Sequence, residues 1–361
     1  MKRISSFLIA AVALLGFAGL TATSANAANE SVSSDIKITP KGTLYKEAFR
    51  PVDLSLTATV TPGPGETTLR ELTNVKFTLP KDFTFSTEGT QVCTKDVGQI
   101  NPENANKPTA AVVAECPNSV VADGTATINV AGQVAAAVTD PVLTLFNGGK
   151  DANGNPVLFI QGYSASVLPG GHGVPMKATL KDGTLDVAVP TLAANSAVST
   201  FTINFPGATG QDPNYAQSKC STGSWTAGAV LTLGVQDPNT GQYVNENFPT
   251  ADTNLTCTGQ AGKAVYGAPK VAGPKSVKVG KKGTYKVTIK NTGTATAKSV
   301  KVAASGKGAK GSASGGNLAP GKSKTIKVKV KFTKKGTSKV KFKATGKGVG
   351  AKAKTFKVKV K

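Results

Sequence analysis

Apolar and polar residues alternate along this chain with a period of two. Val52, Leu54, Leu56, Ala58 and Val60 fall on one side of an extended segment, and Asp53, Ser55, Thr57 and Thr59 on the other. Successive side chains of a strand point to opposite faces, so the alternation predicts a half-buried β-strand. Comparable strands are predicted over residues 75–79, 125–130, 142–146, 157–161, 201–205 and 230–235. Residues 179–187 read as a hairpin in which Asp182-Gly183 supplies the positive-φ turn. Longer turns are expected at 151–155 and 237–241, where Asp, Asn and Gly cluster. Helical periodicity is almost absent. Many short strands between Gly/Pro/Asn turns predict an all-β protein built on antiparallel sandwiches.

The alternation sharpens towards the C-terminus. Strands are predicted at 276–279, 284–289, 299–302, 325–332, 338–342 and 355–360. In one of them Ile326, Val328, Val330 and Phe332 form one face, and Lys327, Lys329 and Lys331 the other. About six strands in this length suit an immunoglobulin-sized sandwich. Residues 259–274 are rich in Gly, Ala, Lys and Pro and predict a linker. The expected organisation is a disulfide-containing antiparallel β-sandwich over 28–258 (one sandwich or two), the linker, and a smaller Ig-like sandwich over 275–361.

Charge separates these halves. From Lys263 to Lys361 there are 28 lysines and no Arg, Asp or Glu, whereas the earlier residues hold 15 Lys+Arg and all 20 Asp+Glu. Without a carboxylate, the C-terminal part lacks the anionic ligands of a strong calcium site and the acid that promotes a Lys–Asn isopeptide bond. Lysine on the outer face of a sandwich supplies solvation and blocks edge-to-edge pairing. A surface chosen only for solubility mixes both signs, however, and like charges facing each other across strands cost stability. Lys327, Lys329, Lys331, Lys339, Lys341 and Lys343 are therefore candidate contacts for a polyanion such as an anionic cell-wall polymer. Arginine's planar fork is missing, and of the five aromatics after Lys263 four (Tyr285, Phe332, Phe342 and Phe356) are expected to face the core, leaving Tyr266 in the linker. Sequence-specific nucleic-acid recognition is not expected.

Residues 1–27 read as a secretory signal, with Lys2 and Arg3, the apolar run from Phe7 to Leu20, and the small-residue site Ala25-Asn26-Ala27. No second apolar run of about 18 residues follows, so no transmembrane segment is expected in the mature chain. Export predicts that Cys93, Cys116, Cys220 and Cys257 form disulfides. Closeness in sequence favours Cys93 with Cys116 and Cys220 with Cys257. A zinc site finds no CxxC spacing and only one histidine, His172. No nucleophile elbow accompanies that histidine. Asp151, Asn153 and Asn155 mimic the opening of a calcium loop, but the glycine falls at 154 and Gly162 stands where glutamate belongs. A glycosidase-type carboxylate pair would have to be assembled in space from Glu30, Glu47, Glu66, Glu71, Glu88, Glu103, Glu115 and Glu246. No catalytic residue, metal or cofactor is expected.

The segment from Tyr285 through Asn291-Thr292-Gly293 to Ala297, then Ser299-Val300-Lys301-Val302, then Leu318-Ala319-Pro320-Gly321 leading to Thr325, resembles the CARDB family (cell adhesion related domain found in bacteria) and related Ig-like surface repeats. The likeness covers about 90 residues and implies a β-sandwich on an exported protein, with a link to adhesion. The N-terminal part, with Leu79-Pro80-Lys81-Asp82-Phe83-Thr84-Phe85 and Cys116-Pro117-Asn118-Ser119, more faintly resembles uncharacterised secreted proteins of Gram-positive bacteria. The expectation is a secreted, non-enzymatic structural or adhesion protein that adheres non-specifically to anionic wall polymer. The alternatives are a secreted hydrolase with a basic targeting module, and an inert lysine-rich spacer.

Overall fold

The structure is a computed structural model that describes residues 30–102, 106–190, 196–206, 212–237, 240 and 242–361. The signal segment 1–27, Glu103 and part of the 237–241 turn lie outside them. The main N-terminal strands are β1 (Ser31–Pro40), β2 (Arg50–Thr61), β3 (Glu71–Thr78), β4 (Val120–Asn129), β5 (Val142–Lys150), β6 (Pro156–Ser164), β7 (His172–Lys181), β8 (Thr184–Ala188), β9 (Ala197–Phe205), β10 (Ser224–Gln236) and β11 (Tyr243–Pro249). They run in the order β11-β10-β3-β8-β7-β6-β5-β4-β9-β2, with β1 antiparallel to β2. The alternation in β2 buries Val52, Leu54, Leu56, Ala58 and Val60, all at most 3% exposed.

The sheet curls until its two ends approach. Ser34 of β1 hydrogen-bonds the Thr250 hydroxyl at 2.7 Å, and that hydroxyl accepts from the Ala229 amide of β10 at 3.0 Å. One apolar core therefore collects residues from β1 to β10, including Leu56, Phe77, Leu145, Phe205 and Leu231. Asp182 and Gly183 both take positive φ (51° and 84°), and Leu180 pairs with Leu185 across the β7–β8 turn. These are the dihedral signs of the two-residue turn that matches strand twist.

The alternation gives no sign of the helices Val97–Ile100 and Thr109–Glu115. Both are too short to show a helical period. Asp96 caps the first, accepting from the Gly98 amide, while Gln99 accepts from the Asp96 amide. The disulfide Cys93–Cys116 closes this segment over Phe146, Val157 and Phe159. The second disulfide joins Cys220 and Cys257. Disulfides fit an oxidising, extracellular setting.

The C-terminal strands are β12 (Lys282–Lys290), β13 (Ala297–Gly306), β14 (Ala309–Leu318), β15 (Ser323–Phe332), β16 (Gly336–Lys347) and β17 (Val349–Val360). Their order is β12-β15-β14-β13-β16-β17, with Lys270–Ala272 beside β12 and Ser276–Val277 beside β17. The sheet folds over on itself: the Tyr285 ring of β12 lies 5.2 Å from Phe342 of β16 and 5.7 Å from Phe356 of β17. A second core of Val, Ile, Ala and aromatic side chains fills the space between the layers.

Residues 259–274, whose composition predicts a linker, are built into the fold instead. Gly259–Gln260 pairs with Leu44–Tyr45, and Lys270–Ala272 pairs with β12. Tyr266, expected in that linker, is 1% exposed in the C-terminal core and donates its hydroxyl to Thr345 O at 3.2 Å. Backbone pairing of this kind needs no side-chain alternation, so composition hides it. Among the described residues no helix is long and apolar enough to cross a membrane.

Candidate functional site

Every second residue of β15 turns outward, so Lys327, Lys329 and Lys331 are exposed while Val328, Val330 and Phe332 are buried. β12 repeats the pattern in register. Lys282 sits opposite Lys331, Lys286 opposite Lys327 and Thr284 opposite Lys329. Lys310 of β14 flanks Lys331 on its other side. On β16 the exposed residues include Lys339, Lys341, Lys343 and Lys347, with Lys357 of β17 opposite Lys339.

The six lysines singled out from the sequence do not form one patch. β14 and β13 stand between β15 and β16 in the sheet, and the Tyr285 contacts place the β12/β15 layer over the β16/β17 layer. Lys327, Lys329 and Lys331 therefore belong to one outer wall, and Lys339, Lys341 and Lys343 to the opposite one. Sequence alternation marks which lysines face out but not which wall they join; only the strand order carries that. Neither wall is neutralised. Among the described residues every ion pair joins residues between Glu30 and Glu246. Directly opposed like charges cost a few tenths of a kcal/mol to about 1 kcal/mol per pair.

The N-terminal charges are organised differently. Glu30 is buried and takes the Arg70 guanidinium at 2.5 Å and the Arg70 amide at 2.6 Å. The same guanidinium reaches Glu246 at 2.9 Å and lies over the Phe248 ring. Burial opposes the Arg70 charge, but hydrogen bonds to Glu246 and Glu30 outweigh it and hold the group above its ordinary value. Tyr243 donates to Glu71 at 2.5 Å nearby. These glutamates do meet in space, but Glu30 and Glu246 are both engaged by arginine, whereas a glycosidase pair needs one carboxyl protonated.

The remaining candidates are structural in their surroundings. Asp151 accepts from the Asn155 side chain and from the Asn153 and Asn155 amides within its own turn, and those bonds hold its carboxyl below the ordinary value. Asp140 takes Ser164 at 2.6 Å and the Ala165 and Ser166 amides; burial pushes against its charge, and these donors override it to hold the carboxyl low. His172 is half-buried at the start of β7, beside an apolar cavity of about 70 Å³ lined by residues such as Leu143, Ile160 and Met176. Among the described residues no group of three His, Cys, Asp or Glu could hold a metal ion.

Comparison with known proteins assigns the basic half. Residues 269–348 match the CARDB family model. Among solved structures, the chain is similar to the CARDB domain of a Pyrococcus furiosus protein determined with di-metal ions, at 21% identity over 27% of this chain and 90% of that one, with a TM-score of 0.23. It is also similar to red sea bream transglutaminase (9% identity, 91% of this chain and 31% of that one, TM-score 0.24). A third is an exo-chitosanase of Amycolatopsis orientalis (14% identity, 66% and 24%, TM-score 0.22). This chain thus spans under a third of either enzyme's length. No curated protein matches it.

Proposed function

Proceeding from a C-terminal CARDB domain, a module of the surface- and adhesion-related kind, we propose that this protein is an exported, non-enzymatic surface protein that adheres to anionic polymer. The two lysine walls carry the reading. They face outward on opposite layers, and among the described residues no acidic side chain forms an ion pair with them. Lysine acts as a strongly hydrated point charge, which suits diffuse attraction to repeated phosphate or carboxylate groups better than bidentate recognition. Walls on both sides allow one domain to bridge two polymer strands. The non-enzymatic part of the reading is supported by the Arg70 clamp on Glu30 and Glu246.

Sedimentation of the mature chain with purified anionic cell wall tests it. Binding is expected at low salt, with release near 1 M salt, where the screening length shrinks to about 3 Å. A protein that stays in the supernatant at low salt overturns the proposal and leaves the inert spacer.

A further inference from the structure

A second basic site lies where the two domains meet. A groove of about 590 Å³ runs between Phe49, Arg50 and Lys150 on the N-terminal side and Lys290 and Lys322 on the C-terminal side. That volume is in the range of ligand pockets. Its charge is unbalanced, with four cationic side chains against the carboxylates of Glu47 and Glu88. Both carboxylates are already engaged: Glu88 pairs with Lys150 at 3.3 Å, and Glu47 accepts the Thr296 amide at 2.7 Å across the domain junction. Among the described residues, Arg50, Lys290 and Lys322 line the groove with no acidic side chain in an ion pair with them.

The rim is preorganised. Asn291 is fully buried, and its side-chain amide donates to Ala295 O at 2.8 Å and Leu318 O at 3.0 Å. Its backbone exchanges hydrogen bonds with the neighbouring turn, donating to Lys322 O and accepting from the Gly321 amide. Gly321 takes a φ of 71°, which a side chain rarely adopts. One asparagine thus locks the 291–293 and 319–322 turns together and fixes Lys290 and Lys322 beside them. Opposite stands Phe49, 37% exposed, with the Lys219 ammonium 5.3 Å from its ring centre. The floor mixes hydroxyl and amide groups (Thr84, Ser86, Gln217) with apolar surface (Pro156, Pro320).

We infer that this groove binds a segment of anionic glycan, with sugar units that carry carboxylate or phosphodiester groups. A sugar ring offers an apolar face to Phe49 and hydroxyls to the polar floor, and its anionic group meets Arg50, Lys290 and Lys322. This ligand is of the same class as that proposed for the lysine walls, but the site is separate and selective where the walls are diffuse.

Calorimetric titration of the mature chain at 0.15 M salt tests the inference, with oligogalacturonate, a phosphodiester-linked hexose oligomer and a neutral maltooligosaccharide as probes. At least one anionic probe is expected to bind and the neutral one not; which of the two binds identifies the anionic group. Phe49→Ala, Arg50→Gln and Lys322→Gln should each weaken binding about tenfold, with unchanged circular dichroism. The triple wall variant Lys327→Gln/Lys329→Gln/Lys331→Gln should leave it within about twofold, since screened, distant charges add little. Groove variants that bind as the parent overturn the inference while the wall proposal stands. Equal binding of the neutral probe overturns it, as does tighter binding of a single-stranded oligodeoxynucleotide than of either glycan.

Discussion

The two domains solve the same problem, a curled antiparallel sheet around an apolar core, with opposite treatments of charge. The N-terminal domain pairs its charges, down to a buried Glu30–Arg70 contact, and adds two disulfides. The C-terminal domain has neither acids nor disulfides, and its lysines all sit outside a core of Tyr285, Val328, Phe332 and Phe342. In such a sandwich ionic pairing is dispensable once period-two alternation has separated lysine from the core. What takes its place inside is neutral: the four hydrogen bonds of the Asn291 side chain, two donated to Ala295 and Leu318 and two accepted from the Val265 and Gly293 amides.

The sharpest way to break this contrast is to remove Arg70. Arg70→Ala leaves Glu30 buried without its counter-charge, which should cost the N-terminal domain about 3–5 kcal/mol. Denaturant unfolding, followed by Trp225 fluorescence for the N-terminal domain and by hydrogen exchange for both, should show the loss there and leave β12–β17 protected. Equal loss in both domains would mean that they unfold as one unit. Next in size is Asn291→Ala, which strands Leu318 O and other backbone groups and should cost the C-terminal domain about 2–4 kcal/mol. If its exchange protection is unchanged, the neutral network is not what replaces the ion pairs.

How much of this was legible in the sequence differs between the halves for a physical reason. The outward lysines and inward apolar residues of β12, β15 and β16 follow from alternation alone, as does β2. The short helices between Cys93 and Cys116 leave no period to read, and Tyr266 sits in a stretch whose strands are held by backbone pairing. The division of Lys327, Lys329 and Lys331 from Lys339, Lys341 and Lys343 depends on β14 and β13 intervening, which is long-range topology. Glu30, Arg70 and Glu246 lie far apart in the chain, and no local pattern announces that they meet.

The smallest effect, and the one that separates the domains most cleanly, is the response to pH. Side-chain hydrogen bonding to Thr296 and the Thr296 amide hold the Glu47 carboxyl below its ordinary 4.5, and Asp140 and Asp151 lie below 3.8. A carboxylate with a lowered pKa stabilises the folded state above its unfolded value, and that contribution is lost as pH falls through the folded one. The N-terminal domain and its Glu47–Thr296 link should therefore weaken below about pH 4. Residues 263–361 contain no Asp, Glu or His, so no side chain there titrates between about pH 4 and 9. Burial pushes Tyr285 from 10.0 up to about 12. A raised pKa works in the other direction: its stabilisation is complete below pH 10 and is lost on the way to pH 12. Hydrogen exchange at matched chemical rates should thus find the N-terminal strands loosening at acid pH, with β12–β17 unmoved until the solution is strongly alkaline. Acid loosening of both domains together would show that the C-terminal sandwich leans on Glu47, and that its independence from charge ends at the domain junction.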